Sequence, residues 1–346
     1  MRIERLEIEK LTIPLSKPFK IALGTTDSAK PVIVKVIAED GTEGIGEAPP
    51  SKKILGATQE VLETVLLHHF KPIIEGMEIE SPFPLIEEIH NSILHYSAAK
   101  FALETALLNL WAKRLSVPLY TILGGRRRRD ILTSITAGID TPENMAKEAK
   151  ELVDKGAKRI KLKLDGNLHL DIDRISAVRS QIGNNIPIRI DANQSYDVRK
   201  ALALTEAIKD MHIEFIEQPL PKWDIKGMAH LRRRSPIPVM ADESLHTPED
   251  AIRLIREEAC DYFNIKLAKA GGFTRAMKIA YIAEASGIKC MVGCMVETEI
   301  GITAGVYFAL SAPNIYWADL DGHLYLKDSP FKPGFETKDG AHTIGG

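Results

Sequence analysis

Two lysines and three acids recur at a steady beat in the second half of the chain. Lys163, Asp191, Glu217, Asp242 and Lys266 are separated by 28, 26, 25 and 24 residues. Each stands in or just after a short apolar segment. Arg159 to Leu164 alternates apolar and basic residues, Ile186 to Ile190 runs into Asp191, Ile213 to Ile216 into Glu217, Ile237 to Met240 towards Asp242, and Tyr262 to Ile265 into Lys266. Any one acid alone reads as half of a local salt bridge, and Lys161 with Lys163 alone as a solvated edge strand. Brought together, three carboxylates repel one another unless a cation lies among them. An all-oxygen set suits a hard ion, Mg²⁺ first, with water and substrate completing its shell. An amine on either side of such an ion is an arrangement for moving a proton on and off carbon. The ion stabilises the enolate, one lysine abstracts from one face, and the other returns a proton to the opposite face. That inverts a stereocentre. Each base works best with its pKa lowered towards ambient pH, and Lys161 beside Lys163, together with the ion's charge, pushes in that direction.

The elements that must position these groups follow from the same beat. A strand, a helix and two loops take about 25 residues. A charge at the carboxyl end of successive strands marks the active rim of a (β/α) barrel. Its first strand is expected at Ile131 to Ile139, with Thr136 near the carboxyl end. Helices are expected at 142–155, 169–182, 198–209, 225–233, 248–257, 273–285 and 298–310, strand seven at Cys290 to Gly293 and strand eight at Tyr316 to Asp319. Ahead of the barrel, Arg2 to Pro14 and Pro31 to Glu39 alternate as antiparallel strands, and residues 58–117 have helical spacing. Gly41, Gly44 and Gly46 lack the spacing of a dinucleotide fingerprint. Lys17 to Asp27 has the composition of a long mobile loop, and Lys52 to Thr58 that of a second polar loop. Leu123-Gly124-Gly125 marks a boundary. The expected architecture is α/β. An α+β capping domain over 1–123 takes back the tail 325–346, and a (β/α)7β modified TIM barrel spans 124–324.

Composition narrows the function classes. The chain has 346 residues, enough for a barrel and an accessory domain, and 45% of them are hydrophobic, enough for a large core. A net charge of −2 gives no general affinity for nucleic acid or anionic membrane. The run Arg126 to Arg129 reads as a solvated loop. No stretch reaches the ~18 apolar residues of a spanning helix, and the charged N-terminus is unlike a signal peptide. Cys260, Cys290 and Cys294 are odd in number and lack zinc spacing, which fits a reducing cytoplasm. A small-molecule partner is expected, and homo-oligomerisation is compatible with the sequence.

Lys161-Leu-Lys163, Asp191-Ala-Asn193, Glu217-Gln-Pro219, Asp242-Glu243 and Lys266-Leu-Ala-Lys269 together resemble the motifs of the enolase superfamily, within it the muconate-lactonizing subgroup. The resemblance covers nearly the whole chain. It implies Lys163 and Lys266 as catalytic bases and Asp191, Glu217 and Asp242 as Mg²⁺ ligands. Muconate cycloisomerases, o-succinylbenzoate synthases, N-acylamino acid racemases and dipeptide epimerases share the lysine pair. Asp319-Leu-Asp321 resembles the Asp-x-Asp motif of dipeptide epimerases, which holds the substrate's α-ammonium. Two carboxylates at a barrel mouth attract a cation, and the other substrates carry none. Thr136 and Lys161 match substrate-contacting positions, and Gly293 to Thr298 resembles the family's strand-seven loop, placing Cys294, Met295 and Val296 against substrate. The sequence supplies no base for Cys294 as a nucleophile. Substrate choice is expected in the first capping loop, at Gly24, Thr25 and Thr26. Epimerases acting on L-Ala-D/L-Glu can carry an arginine there; Gly24 offers no cation, which favours a neutral or apolar second residue. Lys52 or Lys53 could still supply a cation for an L-Ala-Glu substrate. The expected activity is an isomerase's: epimerisation of an L,L-dipeptide at its second residue.

Overall fold

The computed structural model describes residues 1–345. The chain begins with β1 (Ile3–Lys10), β2 (Ile13–Ile21), β3 (Gly24–Ala29), β4 (Val32–Ala38) and β5 (Glu43–Ala48). Helices α1 (Gln59–Val65), α2 (Lys71–Ile74), α3 (Pro82–Ser92), α4 (Ser97–Arg114) and α5 (Leu119–Ile122) follow. β1, β4 and β5 form an antiparallel sheet in the order β1-β4-β5. The middle strand, β4, is almost wholly apolar and buried, as a strand covered on both faces must be. β5 lies directly on α4. A Cβ at Gly44 would come 2.0 Å from Ala106 O, and one at Gly46 2.0 Å from Ala102 O. Gly44 and Gly46 are there so that a strand can touch a helix backbone.

Lys17 to Asp27 departs from expectation. It is a β-hairpin, β2 paired antiparallel with β3, with Phe19 opposite Thr26 and Ile21 opposite Gly24. Strand alternation is hard to read there because most of its residues are exposed and the register shifts between Pro14 and Phe19. The strand expected at Ile131 to Ile139 is two: β6 (Asp130–Leu132) and, after a break at Thr133 and Ser134, β7 (Ile135–Ala137). The break exists because Thr133 and Ser134 turn their hydroxyls towards the strand-eight end. Thr133 Oγ1 accepts from Leu320 N at 2.8 Å, and Ser134 Oγ donates to Asp319 Oδ1 at 2.7 Å.

The barrel then runs α6 (Pro142–Asp154), β8 (Ile160–Lys163), α7 (Leu168–Ile182), β9 (Ile188–Asp191), α8 (Val198–Ala207), β10 (Ile213–Glu217), α9 (Ile225–Arg234) and β11 (Val239–Ala241). It continues with α10 (Pro248–Arg256), β12 (Tyr262–Ile265), α11 (Leu267–Ala270), α12 (Phe273–Ala285), β13 (Lys289–Gly293), α13 (Glu299–Ser311) and β14 (Ile315–Asp319). Strands β7 to β14 are neighbours in sequence order and pair in parallel. A parallel bridge from Thr133 to Ala318 joins the two edges. Six of the helices after strands start on a side-chain cap: Thr141, Asn167, Asp197, Asp224, Thr247 and Thr298. The exceptions follow β12: the one-turn α11, and the long α12, which starts at Gly272 with no cap of its own. Below the carboxyl ends of the strands the barrel interior is filled by the mid-strand residues Phe215, Met240 and Met291, with Tyr262 and Trp317 packed against them. Arg189, fully buried, stacks 5.3 Å above the Phe215 ring and reaches Glu214 Oε2 at 2.8 Å. Access is therefore from the carboxyl end.

After Leu324 the chain bonds to the N-terminal segment, where Lys327 N donates to Pro14 O at 2.8 Å. It then forms β15 (Glu336–Lys338) and β16 (Ala341–Thr343), and β16 pairs with β6. Of the 325–346 tail, which was expected to return to residues 1–123, this last part joins a strand beyond them.

Candidate active site

Strand register brings the acids together. Lys163 lies opposite Asp191, and Asp191 opposite Glu217, so these groups end adjacent strands at one height. Asp242 follows β11 directly. All three carboxylates are fully buried, and one oxygen from each lies within 4.8 Å of the others. Burial and the neighbouring charge of Asp191 push Glu217 up to about 8. Burial also opposes ionisation of Asp191 and Asp242, but the lysines beside them outweigh it and hold both below the usual carboxylate range. Such unequal titration of like charges at close quarters is the crowding that a divalent cation relieves. Glu217 Oε2 accepts no hydrogen bond, although Lys161 Nζ stands 2.8 Å away off the bonding angle. Glu217 Oε1 is held by Asn264 Nδ2 at 2.8 Å. The cluster has hard oxygen donors, a free buried acceptor and fixed orientation, so the residues fit Mg²⁺.

Amines flank the cluster. Lys163 Nζ lies 2.6 Å from Asp191 Oδ2 and donates to Asn193 Oδ1 at 3.2 Å. Lys266 Nζ donates to Asp242 Oδ2 at 2.8 Å, and Lys269 holds the other carboxylate oxygen of Asp242. Lys161 Nζ donates to Asp319 Oδ2 at 2.7 Å and lies 3.0 Å from Asp191 Oδ2. The expected lowering of the base pKa values is not what Lys266 displays. Burial disfavours its charge, but Asp242 and Glu217 pull harder, and the pKa is raised. Lys161 is raised for the same reason, by Asp191, Asp319 and Glu217 against burial. Carboxylates bound to a cation would pull less, which is the condition under which lowering applies.

Above the lysines is one cavity of about 560 Å³. Lys161, Lys163, Lys266 and Asn193 form its floor, with Thr136 and the strand-eight pair Asp319 and Asp321 along one wall. Cys294, Met295 and Val296 line it from the loop after β13, and Gly24, Thr25 and Thr26 from β3. Burial and the acids Asp321, Glu297 and Asp319 hold the Cys294 thiol well above its usual pKa, which makes it a poor nucleophile. Asp319 is engaged by Lys161 and Ser134. Asp321 accepts from Thr136 N at 2.7 Å and from the Tyr325 hydroxyl at 2.6 Å, both on Oδ2. Sequence reasoning missed Asn264, Ser134 and Tyr325. Asn264 was findable, since it stands two before Lys266 and so on the same strand face. Ser134 and Tyr325 carried no periodic signal. A second groove of about 520 Å³ lies near Arg232, Asp261 and Tyr262, but Arg232 Nε is already paired with Asp261 Oδ1 at 2.8 Å.

A parallel barrel with a separate N-terminal antiparallel sheet, acids ending three successive strands and lysines on both sides, defines a protein of the enolase superfamily. Residues 144–345 match the enolase C-terminal domain-like family, and residues 5–124 match the mandelate racemase / muconate lactonizing enzyme N-terminal domain. The chain belongs to the mandelate racemase / muconate lactonizing enzyme family. It is 38% identical to L-Ala-D/L-Glu epimerase of Bacillus subtilis, over 96% of this chain and 92% of that one. It is also 38% identical to a hydrophobic dipeptide epimerase of Enterococcus faecalis, over 96% and 94% of the two chains. The substrate-liganded structure of the B. subtilis epimerase superposes with a TM-score of 0.97 at 36% identity, covering 100% of this chain and 97% of that one. The E. faecalis dipeptide epimerase, complexed with Mg and L-Leu-L-Tyr, superposes with a TM-score of 0.94 at 37% identity, covering 100% and 98%.

Proposed function

We propose that this chain is an isomerase, a Mg²⁺-dependent dipeptide epimerase that inverts the α-carbon of the second residue of an L,L-dipeptide with a neutral or apolar second side chain. The observation that carries the reading is the pairing of two devices in one cavity: lysines on both sides of a three-carboxylate cluster, and two further acids at the end of β14. Both relatives named above support a dipeptide epimerase, and the E. faecalis relative supports the apolar second residue. The three thiols are unpaired, which supports a cytoplasmic location.

Asp191, Glu217 and Asp242 hold the ion. When bound, it supplies positive charge that offsets the negative charge developing on the substrate carboxylate as the α-proton leaves. Lys161 and Thr136 orient that carboxylate. Lys163 takes or returns the proton on one face of the α-carbon, and Lys266 does so on the other. Asp319 and Asp321 receive the α-ammonium; the Asp321 carboxylate keeps Oδ1 clear of the donors that occupy Oδ2. Phe19, Ile21 and Leu23, on and beside the hairpin β2–β3, give the cavity an apolar wall for the second side chain. Lys53 Nζ donates to Leu23 O and so is spent on joining the two capping loops. Lys52 also lines the cavity and supports the alternative, an acidic second residue as in L-Ala-Glu.

The test is a library of L,L-dipeptides in D₂O with Mg²⁺, read as gain of a deuteron at the second residue. L-Ala-L-Leu should outrun L-Ala-L-Glu, and N-acetyl-L-Ala-L-Leu should lose about tenfold to a hundredfold in kcat/KM through the missing charge-assisted pair. Asp321→Asn should narrow that gap. Equal turnover of the acetylated peptide would move the assignment to an N-acylamino acid racemase. Lys163→Ala and Lys266→Ala should each stop exchange from one epimer while sparing the other; a single mutant that epimerises normally would exclude the two-base reading.

A further inference from the structure

α12 is the long helix that follows Lys266 and the one-turn α11, and it lacks the side-chain cap that the other long barrel helices carry. Its cap comes from the N-terminal part of the chain. Glu104, on α4 and 1% exposed, accepts from Thr274 N on Oε1 at 2.6 Å and from Thr274 Oγ1 on Oε2 at 3.2 Å. His90 Nε2, on α3, holds the same Oε2 at 3.0 Å. The local cap has been given up to admit this carboxylate: a Cβ at Gly272 would lie 2.1 Å from Glu104 Oε2. The preceding turn packs against the same helix pair, with a Cβ at Gly271 meeting His90 at 3.2 Å and Lys100 at 3.8 Å.

Between Lys266 and α12 the turn is closed by backbone bonds, and Gly272 O accepts from Ala276 N at 3.2 Å in the first turn of α12. Leu267 O accepts from Gly271 N at 2.8 Å and Gly272 N at 3.0 Å, and Lys266 O accepts from Lys269 N and Ala270 N, both at 3.0 Å. Lys266 is thus the first residue of a rigid turn whose far end is pinned by Glu104. Lys163 has no such link. It ends β8, and its segment runs into α7, which is capped locally by Asn167.

We propose that Glu104 is a positioning residue for Lys266, so that the capping domain aligns one of the two bases and leaves the other to the barrel. This rests on the two-base reading above. A buried carboxylate needed merely for folding would affect both faces of the substrate alike, whereas one acting through Lys266 affects a single face.

The experiment follows deuterium exchange from each epimer of Ala-Leu separately. The Lys266 face is defined as the one lost in Lys266→Ala. Glu104→Ala should slow exchange on that face by about tenfold to a hundredfold, with the other face within about threefold of the parent, since small misplacements of a reacting group are costly. Glu104→Gln retains an oxygen acceptor for Thr274 N–H and should restore the lost face to within about threefold. If Glu104→Ala does not fold, Glu104→Asp, with the charge kept and the reach shortened, should give the same one-sided loss. Equal losses on both faces, or no loss on either, would overturn the proposal. Absence of exchange in the parent protein would instead overturn the epimerase reading.

Discussion

Lys161 joins the two halves of the site. Its amine contacts Asp319 on one side and Asp191 and Glu217 on the other, at 2.7, 3.0 and 2.8 Å. Removing it leaves buried acids facing one another, which costs about 3–5 kcal/mol for a broken buried pair. A cation bound by the folded chain offsets that loss by mass action. Lys161→Met should therefore unfold at a lower temperature than the parent in EDTA, and Mg²⁺ should raise its Tm by more than it raises the parent's. Equal Mg²⁺-dependent rises in thermal scans would refute this. The lysines and acids were legible in the sequence because like charges on one strand face are costly and need a reason. Their supports were not. Asn264 Nδ2 and the Tyr325 hydroxyl are uncharged, and an uncharged polar residue leaves no electrostatic mark on a sequence pattern.

Among the elements, the barrel was legible and the hairpin was not. Seven strand–helix repeats give both a spacing and an apolar period, and the helix limits from α6 to α13 fall within two residues of those the spacing predicts, except for the one-turn α11, which the spacing does not predict. β2 has apolar residues at Ile13, Leu15, Phe19 and Ile21, but Lys17 interrupts that period and β3, largely exposed, has none to match it. The division of Ile131 to Ile139 into β6 and β7 depends on Leu320 and Asp319, far along the chain, which local pattern cannot reveal. The contact of β5 with α4 makes a firm prediction. A Cβ at Gly46 would sit 2.0 Å from a backbone oxygen, which no rotamer change can relieve. Gly46→Ala should cost at least ~3 kcal/mol, seen as a lower denaturant midpoint. An unchanged midpoint would mean that β5 and α4 do not touch as described.

For the molecule as a whole, a second cross-domain carboxylate matters. Glu47, at the end of β5 and fully buried, accepts from Thr298 N at 3.0 Å and Gly301 N at 3.0 Å at the start of α13. Burial outweighs these bonds and pushes its pKa up from 4.5 to about 7; Glu297, buried beside it and repelled by Glu47, is pushed up to about 8. Between the ordinary and the raised values the folded chain holds protons that the unfolded chain has released. This contribution to stability is present in full below pH 4.5 and is lost as pH rises through 7 and 8. The loss is on the order of 3 kcal/mol for Glu47. Buried His246, His323 and His342, each lowered to about 4, add stability as pH rises to 6.5; from pH 6.5 to 8.5 stability should fall, and Glu47→Gln should flatten the slope. A parent curve already flat across that range would count against buried, protonated glutamates at this interface.

The same contact bears on how the chain comes together during synthesis. Glu47 and Thr298 are 251 residues apart, and Glu104 and Thr274 are 170 apart. The sheet and helices that leave the ribosome ahead of the barrel thus carry two glutamates destined for burial whose partners are made several seconds to a minute later, at roughly 5–20 residues per second. Until then those carboxylates stay hydrated, and the surface around them cannot close. Docking of α12 and α13 onto β5 and α4 belongs late in folding, after loops of this length have closed. A fragment ending before α12 should keep that surface wet and open.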